Sequence, residues 1–337
     1  MNKRWRLLIV ICSLSAFLYI ALITGFELYR LCYQPMNVVA DRIPIVRIKK
    51  SMTASSLAHY LKSQHLIKSE RLFLALVRAM GVSHQLKAGI YQIKAGETSL
   101  AFLYRVATGD VLSETFQIIE GTTQRQVSER LKKAVYLQYA SSDWLAIATT
   151  DAQAEGLLLA DTYRYNAGSS AKTLLERAHQ NLIHYLETSW QKRTSGLPYK
   201  TSYDLLIAAS ILEKEAALPE EKRLISGVIV NRLRRSMPLQ MDPTVIYGLG
   251  AAFTGKLTHD DLKIDSPYNT YRYRGLPPTP IAMVGKDAID AAAHPALSDY
   301  LYFVARGDGT HAFSTTYDKQ RQAIDRYIKK STQGVSP

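Results

Sequence analysis

Residues Tyr203 to Asn231 read YDLLIAASILEKEAALPEEKRLISGVIVN. The first part, Tyr203 to Ala217, is apolar on almost every side at helical spacing, the pattern of a helix buried in a core rather than laid on a surface. Two carboxylates, Glu213 and Glu215, close it. Ala208, Ile211 and Leu212 share a helix face with Glu215, whereas Leu206, Ala209 and Ser210 share one with Glu213. Positions two apart on a helix are separated by about 200°, so a single cleft receives only one of the two. A carboxyl among apolar side chains has its pKa raised. One that is still protonated near neutral pH can give its proton to a leaving-group oxygen. The plain alternative is the polar end of a buried helix, with both glutamates in solvent or paired with Lys214 and Arg223. Pro219 interrupts the helix, and Glu220 to Leu233 resumes it with Leu224, Val228 and Leu233 on the apolar side.

Upstream of this stretch, Gln126 to about Gln191 also reads as helical, with Leu131, Val135, Trp144, Leu174, Leu175, Leu182, Ile183 and Leu186 as core candidates. A short non-helical interruption, EGLLLADTYRYNAGSS, places Asp161, Tyr163 and Tyr165 beside Gly156 and Gly168. Turn structure and the lining of a site are both open readings of it. Further towards the N-terminus, an alternating strand, a turn and a Thr-initiated helix recur three times, with Ile48 and Thr53, Ile93 and Thr98, and Ile118 and Thr123 at one offset. Thr at a helix start accepts a hydrogen bond from an otherwise unpaired N–H, and Gly96 and Gly121 suit the turns. Glu70 to Met80 is a further helix, stopped by Gly81. Residues 45–111 thus form a compact α+β module without a catalytic-looking cluster, suited to binding or spacing.

Leu7 to Phe26 is twenty residues without a charge, close to the ~20 needed to cross a bilayer core as a helix. Lys3, Arg4 and Arg6 precede it and only Arg30 closely follows. The positive-inside bias predicts a cytoplasmic N-terminus with the remainder across the membrane. A cleaved signal peptide is the rival reading, but its apolar region would be shorter and no good small-x-small site follows Phe26, so an uncleaved anchor is expected. The net charge is +13, with 42 Lys and Arg against 29 Asp and Glu. Such an excess fits an anionic partner, and the exported placement sets nucleic acid aside. The two cysteines, Cys12 and Cys32, lie in or just beyond the apolar run, so the exported part has neither an internal disulfide nor a zinc-type ligand set. No metal or cofactor is expected. No phosphate loop, nucleophile elbow or HExxH motif occurs, and His294 and His311 lack metal-ligand spacing.

Downstream of the opening stretch, LRRSMPLQMDPTVIYGLG and SPYNTYRYRGLPPTPIA are dense in Pro, Gly, Tyr, Asn, Gln and Thr. Amides, hydroxyls and tyrosine faces suit sugar rings and acetamido groups; an irregular Pro-fixed loop is the plain alternative. The closing segment reads as a strand, a Gly-Asp-Gly turn, a strand and a terminal helix.

The ordered motifs ASILEKEA, VNRL, LQMDPTVIYG, SPYNTY, GLPPTPIA, AAAHPA, YLYFVA and HAFS closely resemble the YceG-like family of endolytic murein transglycosylases. The resemblance is strong from about Glu155 onward and weaker from Ile45 to Gln126, where the family carries a LysM-like module. It implies cleavage within peptidoglycan glycan strands between N-acetylmuramic acid and N-acetylglucosamine, leaving a 1,6-anhydro end, with one Glu as acid and then base. The family's catalytic position is the second glutamate of EKE, here Glu215, and Glu213 is then the structural carboxylate. Asn231, Gln240, Asp242, Thr244, Tyr247, Tyr268, Asn269 and Tyr271 are carried over as glycan-binding or acid-orienting residues. Ala216 and Ala160 depart from the family's Thr and Pro, which places a hydroxyl contact and a fixed turn in doubt.

The expected architecture is α+β: a cytoplasmic N-terminus at 1–6, a transmembrane anchor at 7–29, a connector at 30–44, a LysM-like module at 45–111 and a catalytic domain at 112–337. In that domain the acid helix is expected to be faced by β-structure from the C-terminal segments. The expected location is the inner membrane, with the catalytic domain periplasmic and enzymes of wall synthesis as partners by family association. The competing functions are a two-carboxylate hydrolase using Glu215 with Asp242, Glu213 or Asp161, and a non-catalytic wall-binding scaffold.

Overall fold

The apolar N-terminal run lies in one 31-residue helix, α1 (Lys3–Tyr33), of which Leu8–Tyr33 is long and apolar enough to cross a membrane. At 1.5 Å per residue the helix is about 45 Å long, more than the ~30 Å of a hydrocarbon core. Its last turn therefore extends into the expected connector, where Leu31 and Cys32 pack on the core of the following module. The computed structural model describes residues 3–38, 44–148, 154–216 and 218–329. Part of the expected connector and the expected helix end at Ala217 lie outside the described residues. The chain divides into two units, Met1–Glu114 with Asn166–Gly168, and Thr115–Tyr165 with Ser169–Pro337.

In the first unit, β1 (Ile45–Ile48) is followed by α2 (Ala54–Ser63), α3 (Glu70–Ala79), β2 (Gly89–Gln92) and α4 (Ser99–Thr108). β1 and β2 pair antiparallel with Val46 opposite Tyr91. Val46, Leu57, Phe73, Tyr91 and Phe102 are fully buried. The repeated Thr positions are caps: Thr53 accepts from Ser56 N–H and Thr98 from Ala101 N–H.

β3 (Ser113–Gln117) leads into the second unit and is followed by α5 (Gln124–Lys132), whose cap Thr123 forms a reciprocal capping box with Gln126. β4 (Thr162–Asn166) pairs with β3, so the segment read as a non-helical interruption contains a strand. Its alternation turns Tyr163 and Tyr165 into the core, where their hydroxyls donate to the carbonyls of Leu159 at 2.8 Å and Val135 at 2.6 Å. Neither lines a site. Two expected core residues are exposed, Val135 at 57% and Ile183 at 42%. Val135 follows the end of α5 in a turn, and Ile183 lies on the outward side of α6 (Ala171–Lys192).

The opening stretch forms α7 (Ser202–Glu215) and α8 (Pro219–Arg234). Leu205 to Leu212 of α7 are all buried. α9 (Asp242–Leu249) follows in the stretch for which an irregular Pro-fixed loop was the plain alternative; Pro243 in its first turn lacks only an N–H that needs no partner there. α10 (Lys286–Ala293), β5 (Tyr302–Ala305), β6 (His311–Ser314) and α11 (Tyr317–Ile324) complete the described fold. β5 and β6 form the expected antiparallel hairpin. It packs on α11, whereas α7 packs chiefly against α10, α8 and α6. The expectation that β-structure faces the acid helix is thus corrected. A helix apolar on all sides needs cover on all sides, and α10 presents buried Ala288, Ala291, Ala292 and Ala293, small side chains that permit close helix packing. Close approach also sets Gly227 in α8, where a Cβ would lie 2.6 Å from the Ala296 carbonyl oxygen.

Candidate functional site

The two glutamates at the end of α7 meet different surroundings. Glu213 accepts from Lys222 Nζ at 2.6 Å and from the Gly285 N–H at 2.8 Å. The side chains of Lys222 and Glu213 are only 4% and 3% exposed. Lys214 and Arg223, the partners in the plain alternative, do not pair with it among the described residues; Lys214 Nζ instead donates to the Gly121 carbonyl at 3.2 Å. Glu213 is held on both oxygens by the fold around it.

Glu215 is the last residue of α7, and its carboxyl makes no hydrogen bond among the described residues while remaining partly accessible. Burial, with a contribution from the charge of Asp242, pushes its pKa up to about 8. The C-terminal end of a helix also disfavours a negative charge. Asp242 is the first residue of α9, where a helix N-terminus favours one. Tyr271 donates its hydroxyl hydrogen to Asp242 Oδ1 at 2.5 Å. Burial raises the Tyr271 pKa, and the nearby charges of Asp242 and Glu215 add to the rise. Glu215, Asp242 and Tyr271 therefore form one electrostatic cluster, with a proton-holding carboxyl beside a second, exposed one.

Gln240 lies close in sequence to this cluster. Its φ is +53°, its N–H donates to the Thr270 carbonyl at 3.1 Å, and its Oε1 accepts from Arg232 at 3.2 Å. Arg232, a residue of the VNRL motif to which the sequence reading gave no role, is buried. It donates to the carbonyls of Leu301 at 2.6 Å and Leu239 at 2.7 Å. That guanidinium ties α8 to the segment leading into Asp242. Burial lowers its pKa, partly offset by the nearby Tyr302 and Tyr271.

Three other expected residues have most of their polar atoms engaged within the protein. Asn231 Nδ2 donates to the carbonyls of Ser298 at 2.7 Å and Tyr300 at 3.0 Å. Asn269, fully buried, donates to Leu262 at 3.0 Å and Ile264 at 2.9 Å and accepts from the Tyr271 N–H at 3.0 Å. Thr244 Oγ1 bonds the Met241 carbonyl at 2.7 Å and Thr270 Oγ1 at 2.9 Å. Asn269 and Thr244 hold the segments that present Tyr271 and Asp242.

Tyr247 and Tyr268 meet edge to face at 4.8 Å. Tyr268 shares a hydrogen bond with Thr279 Oγ1 at 2.8 Å, and Tyr247 donates to Glu155 Oε2 at 3.2 Å. Glu155, unremarked among the site candidates in sequence, is 6% exposed. Its other oxygen accepts the Gln124 N–H at 2.9 Å, at the start of α5. Burial raises its pKa, and the hydrogen bonds from Gln124 and Tyr247 oppose the rise. The adjacent Gly156 has φ +73° and a Cβ position 2.3 Å from Pro280 Cβ, so the turn carrying Glu155 admits only glycine without rearrangement. The Glu-Gly pair heading an apolar run was the one sequence signal for it.

Glu155, Tyr247, Pro243, Lys214, Arg125 and Phe253 are among the residues lining a cleft of about 530 Å³. Glu155→Ala is expected to leave the Gln124 N–H and the Tyr247 hydroxyl without their acceptor, lowering stability by about 1–3 kcal/mol. Glu155→Gln should lose less. Thermal unfolding of the two variants checks the difference.

Among the described residues no group of three or more His, Cys, Asp and Glu side chains could hold a metal ion. His311 Nδ1 lies 2.6 Å from Glu221, and His294 Nδ1 3.4 Å from Thr194 Oγ1. Asp161, a rival second carboxylate, lies 3.9 Å from Lys286 Nζ.

Comparison with known proteins agrees with the motif order. The profile of the YceG-like family matches residues 46–326. An endolytic murein transglycosylase of Bacillus subtilis is 31% identical over 313 residues, covering 86% of this chain and 86% of that protein. A protein of the same name from Streptococcus pneumoniae is 37% identical over 159 residues, 45% of this chain and 28% of that one. A crystal structure of a YceG-like protein from Listeria monocytogenes superposes with a TM-score of 0.52 at 27% identity, over 83% of this chain and 99% of that one. With its family profile matched over most of its length and a relative aligned nearly end to end, the chain belongs to the YceG-like family.

Proposed function

We propose that this protein is a lytic transglycosylase that cleaves peptidoglycan glycan strands internally, between N-acetylmuramic acid and N-acetylglucosamine, with Glu215 as the acid and then the base. The observation that carries this reading is the Glu215 carboxyl, free of hydrogen bonds among the described residues and raised to about 8. In its neutral form it protonates the glycosidic oxygen as the bond from muramyl C1 breaks. The resulting carboxylate then takes the proton of the muramyl C6 hydroxyl as that oxygen bonds to C1. The proton count balances, no water is consumed, and the product carries a 1,6-anhydro end. Asn231, Gln240, Asp242, Thr244, Tyr247, Tyr268, Asn269 and Tyr271 serve the site as glycan contacts or as the frame of Glu215 and Asp242.

The same proposal places α1 in the inner membrane with residues 1–6 cytoplasmic and the second unit in the periplasm. Residues 45–111 act as a LysM-like wall-binding module. Termination of glycan elongation beside wall-synthesis enzymes is the cellular role it suggests. Mass spectrometry of digested glycan tests the chemistry, because anhydro products are one water lighter than hydrolytic ones. One observation favours a second reading: the charge of Asp242 reaches Glu215, as in a two-carboxylate hydrolase. A hydrated reducing end as sole product would establish that reading and remove the first.

The acid must be protonated in the free enzyme, so kcat/KM is expected to fall as pH rises through about 8. Asp242→Asn removes a like charge and should move that limb to lower pH, whatever it does to the maximal rate. A pH profile of both proteins checks the direction.

A further inference from the structure

We propose that the cleft flanking Glu215 and Asp242 is a subsite for the peptide stem borne by the strand, with Arg125 and Lys214 recognising the stem's free carboxylates. This rests on the reading of peptidoglycan as substrate. At about 530 Å³ the cleft lies within the usual range for bound ligands. Its place follows from the chain: Lys214 precedes Glu215 at the end of α7, and Pro243 follows Asp242 at the start of α9. Neither Glu215 nor Asp242 lines the cleft itself, but the chain neighbour of each does, which puts a substituent of a strand held at the acid within reach of it.

The charges at the cleft are unbalanced. Arg125 is exposed and has no carboxylate within ion-pair distance among the described residues. Its charge reaches Glu129, but Glu129 is held by Lys132 at 2.7 Å. Among the described residues Lys214 Nζ meets only the Gly121 carbonyl. Both side chains keep donors to spare. Among the described residues the one carboxyl lining the cleft, Glu155, is buried with its oxygens on the Gln124 N–H and the Tyr247 hydroxyl. Pro243 and Phe253 give apolar walls for methyl and methylene groups, and Gln126 adds an amide whose oxygen is engaged by Thr123 N–H at 2.8 Å. Its Nε2 has no partner among the described residues and is left to donate. Paired cations, an apolar wall and an amide donor match a short acidic peptide better than a bare sugar, which carries few charges to meet two cations.

The test compares cleavage of uncrosslinked, stem-bearing strands before and after their stem carboxylates are converted to amides with carbodiimide and ammonia. Wild type is expected to cleave the native strands with a kcat/KM about tenfold higher, two exposed charge contacts being worth a factor of that order. That preference should shrink at high salt. In the Arg125→Gln, Lys214→Gln double variant the ratio should fall to about one. Arg125→Lys, which keeps the charge, should retain most of it. Because the readout is a ratio within each protein, a variant with a lower overall rate still reports. Equal cleavage of both preparations by wild type, or an unchanged ratio in the double variant, overturns the inference alone. Wild type cleaving neither preparation overturns the peptidoglycan reading and the subsite with it.

Discussion

Glu215→Gln is expected to abolish glycan cleavage and at the same time to give a protein more stable at neutral pH than the wild type. An amide cannot deliver a proton to the glycosidic oxygen, and loss of a positioned general acid lowers rates by about 10²–10⁴-fold. Release of anhydro ends should fall about a thousandfold, the middle of that range. The stability change follows from the same carboxyl. Its pKa is raised from 4.5 to about 8 on folding, so the folded chain binds the proton more tightly than the unfolded chain. Stability therefore declines as pH rises from about 4.5 towards 8. Glutamine has no charge to desolvate and removes the decline. At pH 7 the gain is on the order of 2–3 kcal/mol, allowing for the carboxyl's partial contact with solvent. Below pH 4.5 the two proteins should unfold alike. Cleavage assays and thermal unfolding at pH 4 and pH 7 check both halves. Undiminished cleavage by the variant would remove Glu215 from the chemistry, and a large loss of Tm at pH 7 would show that its role is structural.

Lys222→Met should be the most damaging single change to the fold around the site. The Lys222–Glu213 pair is buried at 2.6 Å with both side chains almost fully enclosed. Removing one member of such a pair leaves an uncompensated buried charge and costs about 3–5 kcal/mol. Glu120 makes the loss worse. Partial burial of the carboxyl of this otherwise exposed residue raises its pKa, the charge of Glu213 raises it further, and Lys222 is the cation that opposes both. Without Lys222, two carboxyls face each other beside Gly285, where even a Cβ would fall 2.0 Å from Glu120 Oε1. Glu120, without the cation that lowers its pKa, would bind its proton more tightly when folded, so the variant should regain stability as pH falls. Adding Glu213→Gln, which still accepts the Gly285 N–H, should recover part of the loss at pH 7. Denaturant unfolding of the single and double variants measures it. Because Glu213 anchors the turn of α7 that carries Glu215, activity should fall with the fold in the single variant and return in part with the double.

What was legible in the sequence was what neighbouring residues settle among themselves. The apolar run that became α1, the Thr53, Thr98 and Thr123 caps and the hairpin around Gly307 and Gly309 depend on contacts a few residues apart. So does the restart of the helix at Pro219. Helical periodicity alone also determined that Glu213 and Glu215 point to different sides of α7. α9 escaped because its eight residues carry a proline and a glycine, and its helicity rests on burying Thr244 and Val245 in a core built elsewhere. β4 escaped because its strand character depends on a partner more than forty residues upstream.

Only the tertiary structure decided what each glutamate meets. Glu213 is joined to Gly285, 72 residues away, and Glu155 to Tyr247, 92 residues away. Glu215 is set beside Asp242 and Tyr271 by a loop that Arg232 pins to α8. The chain alone thus carried the identity of the EKE helix and its two faces. The pKa that makes one of its carboxyls an acid is a property of burial and of a second charge, and neither exists until distant segments close around it.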